Sequence, residues 1–202
     1  MVDQSQISLE IKDAQIDEKT FFKYQVPAKY ADVSVETCNL QPAENIAFAK
    51  AWAKNPFSTV FIGGYGTGKT HLAFAMLREM FRYCPHKIWP RYFTSPNLDA
   101  QLLQAVKSED GDAHKLKDLG QQDLLFIDDL GRETKSERLK RQYFEILNFR
   151  YVNNLPTLLT SNFHLDKLGD LLDGAIASRM QEWAIIEFNG PDLRIFKPNS
   201  IK

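Results

Sequence analysis

Residues 58–70 read Ser-Thr-Val-Phe-Ile-Gly-Gly-Tyr-Gly-Thr-Gly-Lys-Thr. A short apolar run breaks into glycines and then opens a segment of helical period. The run is the pattern of a buried strand. Residues 69–83, KTHLAFAMLREMFRY, carry Leu72, Met76 and Met80 in one row and Ala73 and Leu77 in the next, an amphipathic helix. Between the two, residues 63–70 fit GxxxxGK[ST], placed after a strand and at the head of a helix as a phosphate-binding loop requires. Glycines let backbone N–H groups turn inward around a polyanion. The helix N-terminus adds unpaired N–H groups and partial positive charge. Gly64, Tyr65, Gly66, Thr67, Gly68, Lys69, Thr70 and His71 are therefore the candidate nucleotide-binding residues. Lys69 is placed to contact the β- and γ-phosphates and the Thr70 hydroxyl to ligate Mg²⁺, so ATP and Mg²⁺ are the expected cofactors. A plain glycine-rich turn is the competing reading, and the flanking strand and helix weigh against it.

Outward from this loop, the chain alternates strand and helix. PAENIAFAKAWAK (42–54) reads as a helix with Pro42 in its first turn and Ile46, Ala49, Trp52 and Ala53 on one face. KIWPRYFT (87–94) is a strand candidate that Pro90 suits to an edge. DLLFID (123–128), LPTLLTS (155–161) and EWAIIEF (182–188) supply three more strands. LKRQYFEILNFRYV (139–152) is a helix with Leu139, Tyr143, Ile146, Leu147 and Tyr151 inward. Such alternation predicts an α/β fold with a five-stranded parallel sheet covered on both faces. Residues 1–25 are polar, with Ile7, Leu9 and Ile11 alternating, and read as an arm before a domain spanning 26–202.

With 202 residues the chain can bury a substantial core. It is 44% hydrophobic and 25% charged, ordinary for a soluble protein, and no apolar run approaches the roughly 20 residues of a membrane helix. Cys38 and Cys84 stand far apart and the four histidines are scattered, against a disulfide framework or a zinc site. Without a signal-peptide pattern at the N-terminus, a cytoplasmic protein is expected. The net charge of −1 lacks the broad basic excess of a DNA-coating protein, so any nucleic-acid contact must be a local patch.

LLFIDD (124–129) is four apolar residues followed by two carboxylates. On a buried strand, Asp128 emerges at the C-terminal edge, where ligands bind in open parallel sheets. There it can hold Mg²⁺, and Asp129 can orient or deprotonate an attacking water. A DDLG turn is the alternative. LLTSN (158–162) repeats the geometry, and Asn162 can place an amide between Asp129 and the terminal phosphate, or simply cap the segment after it.

GGYGTGKTHLA, LLFIDDLG, LPTLLTSN and GAIASRM, in that order, resemble the AAA+ ATPases. In detail they resemble the bacterial replicative-helicase loaders of the DnaC and DnaI type and the related IstB transposition helper. The likeness runs from about Val26 to Arg194, and IDDLG and THLA are its most particular forms. It implies a three-layer P-loop NTPase that hydrolyses ATP. Lys69, Asp128, Asp129 and Asn162 are then catalytic, with Thr70 and Asp128 holding the metal. Arg179, in SRM, is implied as an arginine finger acting on a neighbouring subunit's ATP, and Arg194, in GPDLR, as a second sensor. For each arginine a surface salt bridge is the competing reading.

The resemblance also implies partners: a replicative DNA helicase, single-stranded DNA and further copies of the chain, with no membrane. NLDAQLLQAVKSEDGDAHKLKDLGQQD (97–123) looks like extra helices shared with the initiator DnaA. Lys107, Lys115 and Lys117 are its basic candidates for DNA, with Tyr92 or Phe93 as a stacking face. A solvated helix surface explains the lysines equally well. Arg132, Lys135, Arg138, Lys140 and Arg141 form a denser basic cluster, fitted to a phosphate backbone, a neighbouring subunit or water. Two departures stand out. Loaders carry a separate N-terminal domain where only the short arm is expected here, and the helical lid of AAA+ proteins is expected to be truncated or absent. The function implied is an ATP-dependent helicase loader acting in replication initiation. Alternatives are an IstB-like transposition ATPase on duplex DNA, a small-molecule kinase, or a nucleotide-bound regulator without turnover.

Overall fold

The computed structural model describes residues 18–38, 40–84, 88–105, 111–131 and 136–196. Its strands are β1 (Thr59–Gly63), β2 (Pro90–Thr94), β3 (Leu124–Leu130), β4 (Thr157–Ser161) and β5 (Ala184–Phe188). Its helices are α1 (Glu18–Tyr24), α2 (Ala43–Lys54), α3 (Lys69–Tyr83), α4 (Ser95–Ala105), α5 (Gly111–Gly120), α6 (Glu137–Val152), α7 (Leu165–Leu171) and α8 (Gly174–Met180). The strands form one sheet in the order β2-β3-β4-β1-β5, and every pairing is parallel. This is the expected α/β class with the expected number of strands. Pro90 opens β2 at the sheet edge, where its missing N–H removes no ladder bond.

Successive strand residues point to opposite faces, and the core divides accordingly. Phe61, Phe126 and Leu158 pack with α1, α2 and α3 on one face. Val60, Leu125, Ile127 and Leu159 pack with α4, α6 and α8 on the other. The two buried helix rows expected on residues 69–83 are fully covered. The expected arm needs correction in part: residues 1–17 lie outside the described residues, but Phe21 of α1 is fully buried against Phe81. Among the described residues, core packing is thus already present at Phe21 and Phe22, before Val26.

Three aromatic expectations also change. Tyr151 is half-buried and donates its hydroxyl to Glu182 at 2.8 Å instead of pointing inward. Phe93 is buried, and Tyr92 packs its ring 5.0 Å from Phe74 and 5.1 Å from Phe126. Both are committed to the interior, so neither offers a stacking face. The helical period concealed Arg150, which is fully buried on α6. Its guanidinium donates to Thr157 Oγ1 at 2.9 Å, to the carbonyls of Leu119, Gly120 and Gln122 at 3.3, 3.1 and 2.6 Å, and to Pro156 O at 2.6 Å. It thus ties the end of α5 to the starts of β3 and β4. Burial pushes its pKa down to about 10, opposed by the charge of Asp123.

Replacing Arg150 with methionine keeps much of the volume but leaves two buried and two partly buried carbonyls without this donor. Arg150→Met is expected to lower unfolding stability by about 3 kcal/mol or more, read as a lower urea midpoint at unchanged slope.

Candidate functional site

The loop after β1 takes its shape from backbone that favours glycine. Gly63, Gly66 and Gly68 have φ of 137°, 72° and 96°. At Gly63 an added Cβ would also lie 2.3 Å from the Phe188 carbonyl oxygen of β5, so both conformation and space exclude a side chain. Gly68 begins α3 with no side-chain cap, which leaves the first-turn N–H groups to a ligand. Thr67 Oγ1 donates to Gly64 O at 3.0 Å, and Gln41 Nε2 donates to Thr67 O at 2.9 Å, bracing the loop from inside and outside.

Around this loop the ends of β3 and β4 close a hydrogen-bonded circuit. Lys69 Nζ donates to Gly63 O at 2.8 Å, Gly64 O at 2.6 Å and Asn162 Oδ1 at 2.9 Å. Asn162 Nδ2 in turn donates to Asp129 Oδ1. The Asp129 N–H donates to Thr160 Oγ1 at 2.9 Å, and the Thr160 hydroxyl donates to Asp128 Oδ1 at 2.5 Å. Thr70 Oγ1 donates to that same oxygen at 2.7 Å, which returns the path to the residue beside Lys69. Burial lowers the Lys69 pKa, opposed by the charges of Asp129 and Asp128. Burial raises that of Asp128, opposed by the hydroxyls of Thr160 and Thr70. The register between β3 and β4 shifts between Ile127 and Leu130, and within that irregularity Asp129 adopts φ 59°. Aspartate tolerates this conformation better than most residues, and it turns the Asp129 side chain to Asn162.

The circuit fits the group that the loop implies. An uncapped helix start with glycine backbone suits a polyphosphate, and a hydroxyl on a carboxylate suits Mg²⁺, which prefers oxygen ligands. Beside the loop lies a cavity of about 400 Å³, lined by Gln41, Asn45, Thr67, Phe188, Asn189 and Leu193. Its size and mixed lining suit a nucleobase.

Other expected site residues stand outside the hydrogen-bonded circuit, although the charge of Arg194 also lowers the Lys69 pKa. His71 is half-buried against Tyr30, ring centroids 6.3 Å apart, and burial lowers its pKa. Tyr65 is exposed on the loop. Arg179, on α8, sits over the rings of Phe144 and Tyr151 at 5.5 and 5.6 Å, and its buried NH1 has no hydrogen-bond partner among the described residues. Arg194 is exposed, its Nε 3.8 Å from Asp192 Oδ1. Asp192 itself lies against the loop, because a Cβ on Gly66 would come 1.8 Å from its Oδ1. Leu193 N donates to Gly66 O at 3.0 Å.

Lys115 holds its ammonium over the Phe93 ring at 5.7 Å, and Lys117 is exposed. Lys107, Arg132 and Lys135 lie outside the described residues. Lys140 and Arg141 pair with Glu137 and Glu145 at 2.9 and 3.2 Å, which favours the solvated-face reading for those two. Sequence reasoning missed Gln41, Thr160 and Asp192. Only Thr160 carried a signal, as a polar residue within a buried strand.

The chain matches the family model described as IstB-like ATP binding protein over residues 36–183. It belongs to the IstB-like ATP-binding protein family. Among relatives, the phage-like element PBSX protein XkdC of Bacillus subtilis (strain 168) is 34% identical over 134 residues, 62% of this chain and 47% of that protein. The chromosomal replication initiator protein DnaA of Lactiplantibacillus plantarum is 27% identical over 133 residues, 66% of this chain and 29% of that one. The chain thus spans less than half the length of these relatives. Among solved structures, DnaI superposes with TM-score 0.69 at 25% identity, covering 81% of this chain and 94% of that chain. The DnaC helicase loader gives TM-score 0.71 at 23% identity, covering 81% and 100%, a likeness of fold. These neighbours establish the P-loop AAA+ fold for this IstB-like protein. No helix among the described residues is long and apolar enough to cross a membrane.

Alanine at Gly63 would force a Cβ into the β5 backbone at a φ that L-residues avoid. Gly63→Ala is expected to cost about 2 kcal/mol or more in denaturant unfolding and to weaken nucleotide binding in the same preparation.

Proposed function

We propose that this IstB-like protein is a Mg²⁺-dependent ATPase whose nucleotide state governs assembly with a replicative helicase on single-stranded DNA. The carrying observation is the closed circuit from Lys69 through Asn162, Asp129, Thr160 and Asp128 to Thr70. It puts one ammonium, two carboxylates and two hydroxyls at the head of one uncapped helix. Lys69 exchanges its loop carbonyls for phosphate oxygens. Thr70 and Asp128 hold the metal, and Asp129, steadied by Asn162, orients the water. Bound Mg²⁺ neutralises charge that develops on the terminal phosphates.

Arg179 completes the proposal from a second copy. A guanidinium nitrogen that is buried and unpaired among the described residues is a poor structural group and a good phosphate ligand. Arg194 serves as an adjustable contact beside the loop. The DnaC and DnaI likeness supports the loader role. The family match supports a second reading, a transposition helper acting on duplex DNA.

Lys69→Ala is expected to abolish nucleotide binding. Arg179→Ala is expected to preserve binding and to lower turnover by about 10³-fold. Mixing the two inactive variants is expected to restore part of the turnover, because each supplies what the other lacks. Full activity of Arg179→Ala alone, or no recovery in the mixture, rejects the shared site.

The loader reading predicts that single-stranded DNA stimulates hydrolysis more than duplex does. It also predicts that the replicative helicase of the same cell associates in an ATP-dependent manner by light scattering. Duplex-only stimulation without helicase binding selects the transposition helper instead.

A further inference from the structure

Thr160 is 1% exposed on β4, the central strand, two residues before Asn162. It shares a strand face with Leu158 by the two-residue period, the face that carries α3. A hydroxyl there replaces a methyl that packing alone would accept. It has one donor bond and one acceptor bond, and these go to the two acidic residues: out to Asp128 Oδ1 at 2.5 Å, and in from the Asp129 N–H at 2.9 Å. The second bond lies in the irregular part of the β3–β4 register, so this side chain stands in for a ladder partner of Asp129. The first places two hydroxyls on one Asp128 oxygen, and Asp128 Oδ2 takes no hydrogen bond among the described residues.

We infer that Thr160 is a positioning residue whose hydroxyl fixes Asp128 and Asp129 together and so sets the Mg²⁺ requirement of the site. The inference rests on the reading of Asp128 as the metal-side carboxylate. A group that merely satisfied a buried N–H would affect stability; this one also selects which Asp128 oxygen stays open. Without the hydroxyl, Asp128 keeps Thr70 as its orienting donor among the described residues, and the Asp129 N–H loses the Thr160 oxygen as acceptor. Both carboxylates then spread over more orientations, and ordering them costs affinity for the cation rather than for the nucleotide alone.

The test is the binding of a fluorescent ATP analogue to the whole chain, first in EDTA and then across a Mg²⁺ titration, which needs no turnover. Thr160→Val keeps the shape and loses the hydroxyl. It is expected to bind the metal-free analogue within about twofold of the wild type, and to need about tenfold more Mg²⁺ for half of the metal-dependent tightening, the size of one hydrogen bond to a charged group. Thr160→Ser is expected to bring that requirement back to near the wild-type value. Should the valine variant not fold, Thr160→Cys, a weaker donor of similar size, is expected to shift the titration in the same direction. Superimposed Mg²⁺ curves for the wild type and the folded variant overturn the inference alone, as does a serine variant no better than valine. A wild type that binds the analogue without any Mg²⁺ dependence overturns the metal reading of Asp128 and the inference together.

Discussion

A buried ammonium must be surrounded by acceptors, and the site is organised around meeting that demand at Lys69. Leaving water raises the free energy of its charged form, which is why its pKa falls. Three oxygens compensate, two from the loop that precedes it and one from Asn162 at the end of another strand. The loop carbonyls can turn toward Lys69 because Gly63 holds a φ of 137°. The lysine therefore fastens its own loop and ties it to the end of β4. In the proposed function a polyphosphate would take over part of that coordination, and Asn162 is the link from Lys69 to Asp129.

That route exists because of strand order. With β4 between β1 and β3, the residues that end β4 face the loop on one side and the acidic pair on the other. No sequence neighbour brings Lys69, Asp128 and Asn162 together; parallel pairing does, since all three strands run the same way and finish at the same edge. The irregular register at Asp129 supplies the remaining adjustment. A regular strand would send consecutive side chains to opposite faces, separating Asp128 from Asp129. The shift and the positive φ keep both carboxylates within one circuit.

These arrangements were legible in unequal measure. The positions of the phosphate-loop pattern, the acidic strand end and Asn162 could be read because each is a local pattern: glycine before a helix, or polar residues after an apolar run. The strand candidates fell at the observed strands for the same reason. Arg150 could not be read, since its partners sit at the end of α5 and around the starts of β3 and β4, and its own position looks like any charged residue on an amphipathic helix. Gln41 contacts the loop across 26 residues of chain, with nothing local to mark it. Tyr92 and Phe93 misled in the opposite sense: aromatics beside lysines suggest a stacking surface, but a strand that is an edge in the sheet still has two covered faces. Thr160 lay between these cases, a polar letter in a buried strand whose meaning depended on which neighbour it faced.

The asymmetry between the two arginines follows from the same geometry. Arg194 has a carboxylate of its own in Asp192 and stands in water, so it can leave that partner at small cost. Arg179 has aromatic rings on its flanks and a desolvated nitrogen without an acceptor among the described residues. An unmet donor of that kind costs about 1–3 kcal/mol, whereas exposure to water would satisfy it freely. The circuit at Lys69 already closes without it, and the two rings that flank it both belong to α6. A guanidinium stiffened by rings and short of an acceptor loses little entropy on meeting an anion. In the proposed assembly the acceptor is a phosphate on the next subunit, so nucleotide binding in one copy would relieve an unmet hydrogen bond in another. ATP occupancy and self-association would then be thermodynamically linked through one nitrogen atom, each strengthening the other by the same factor.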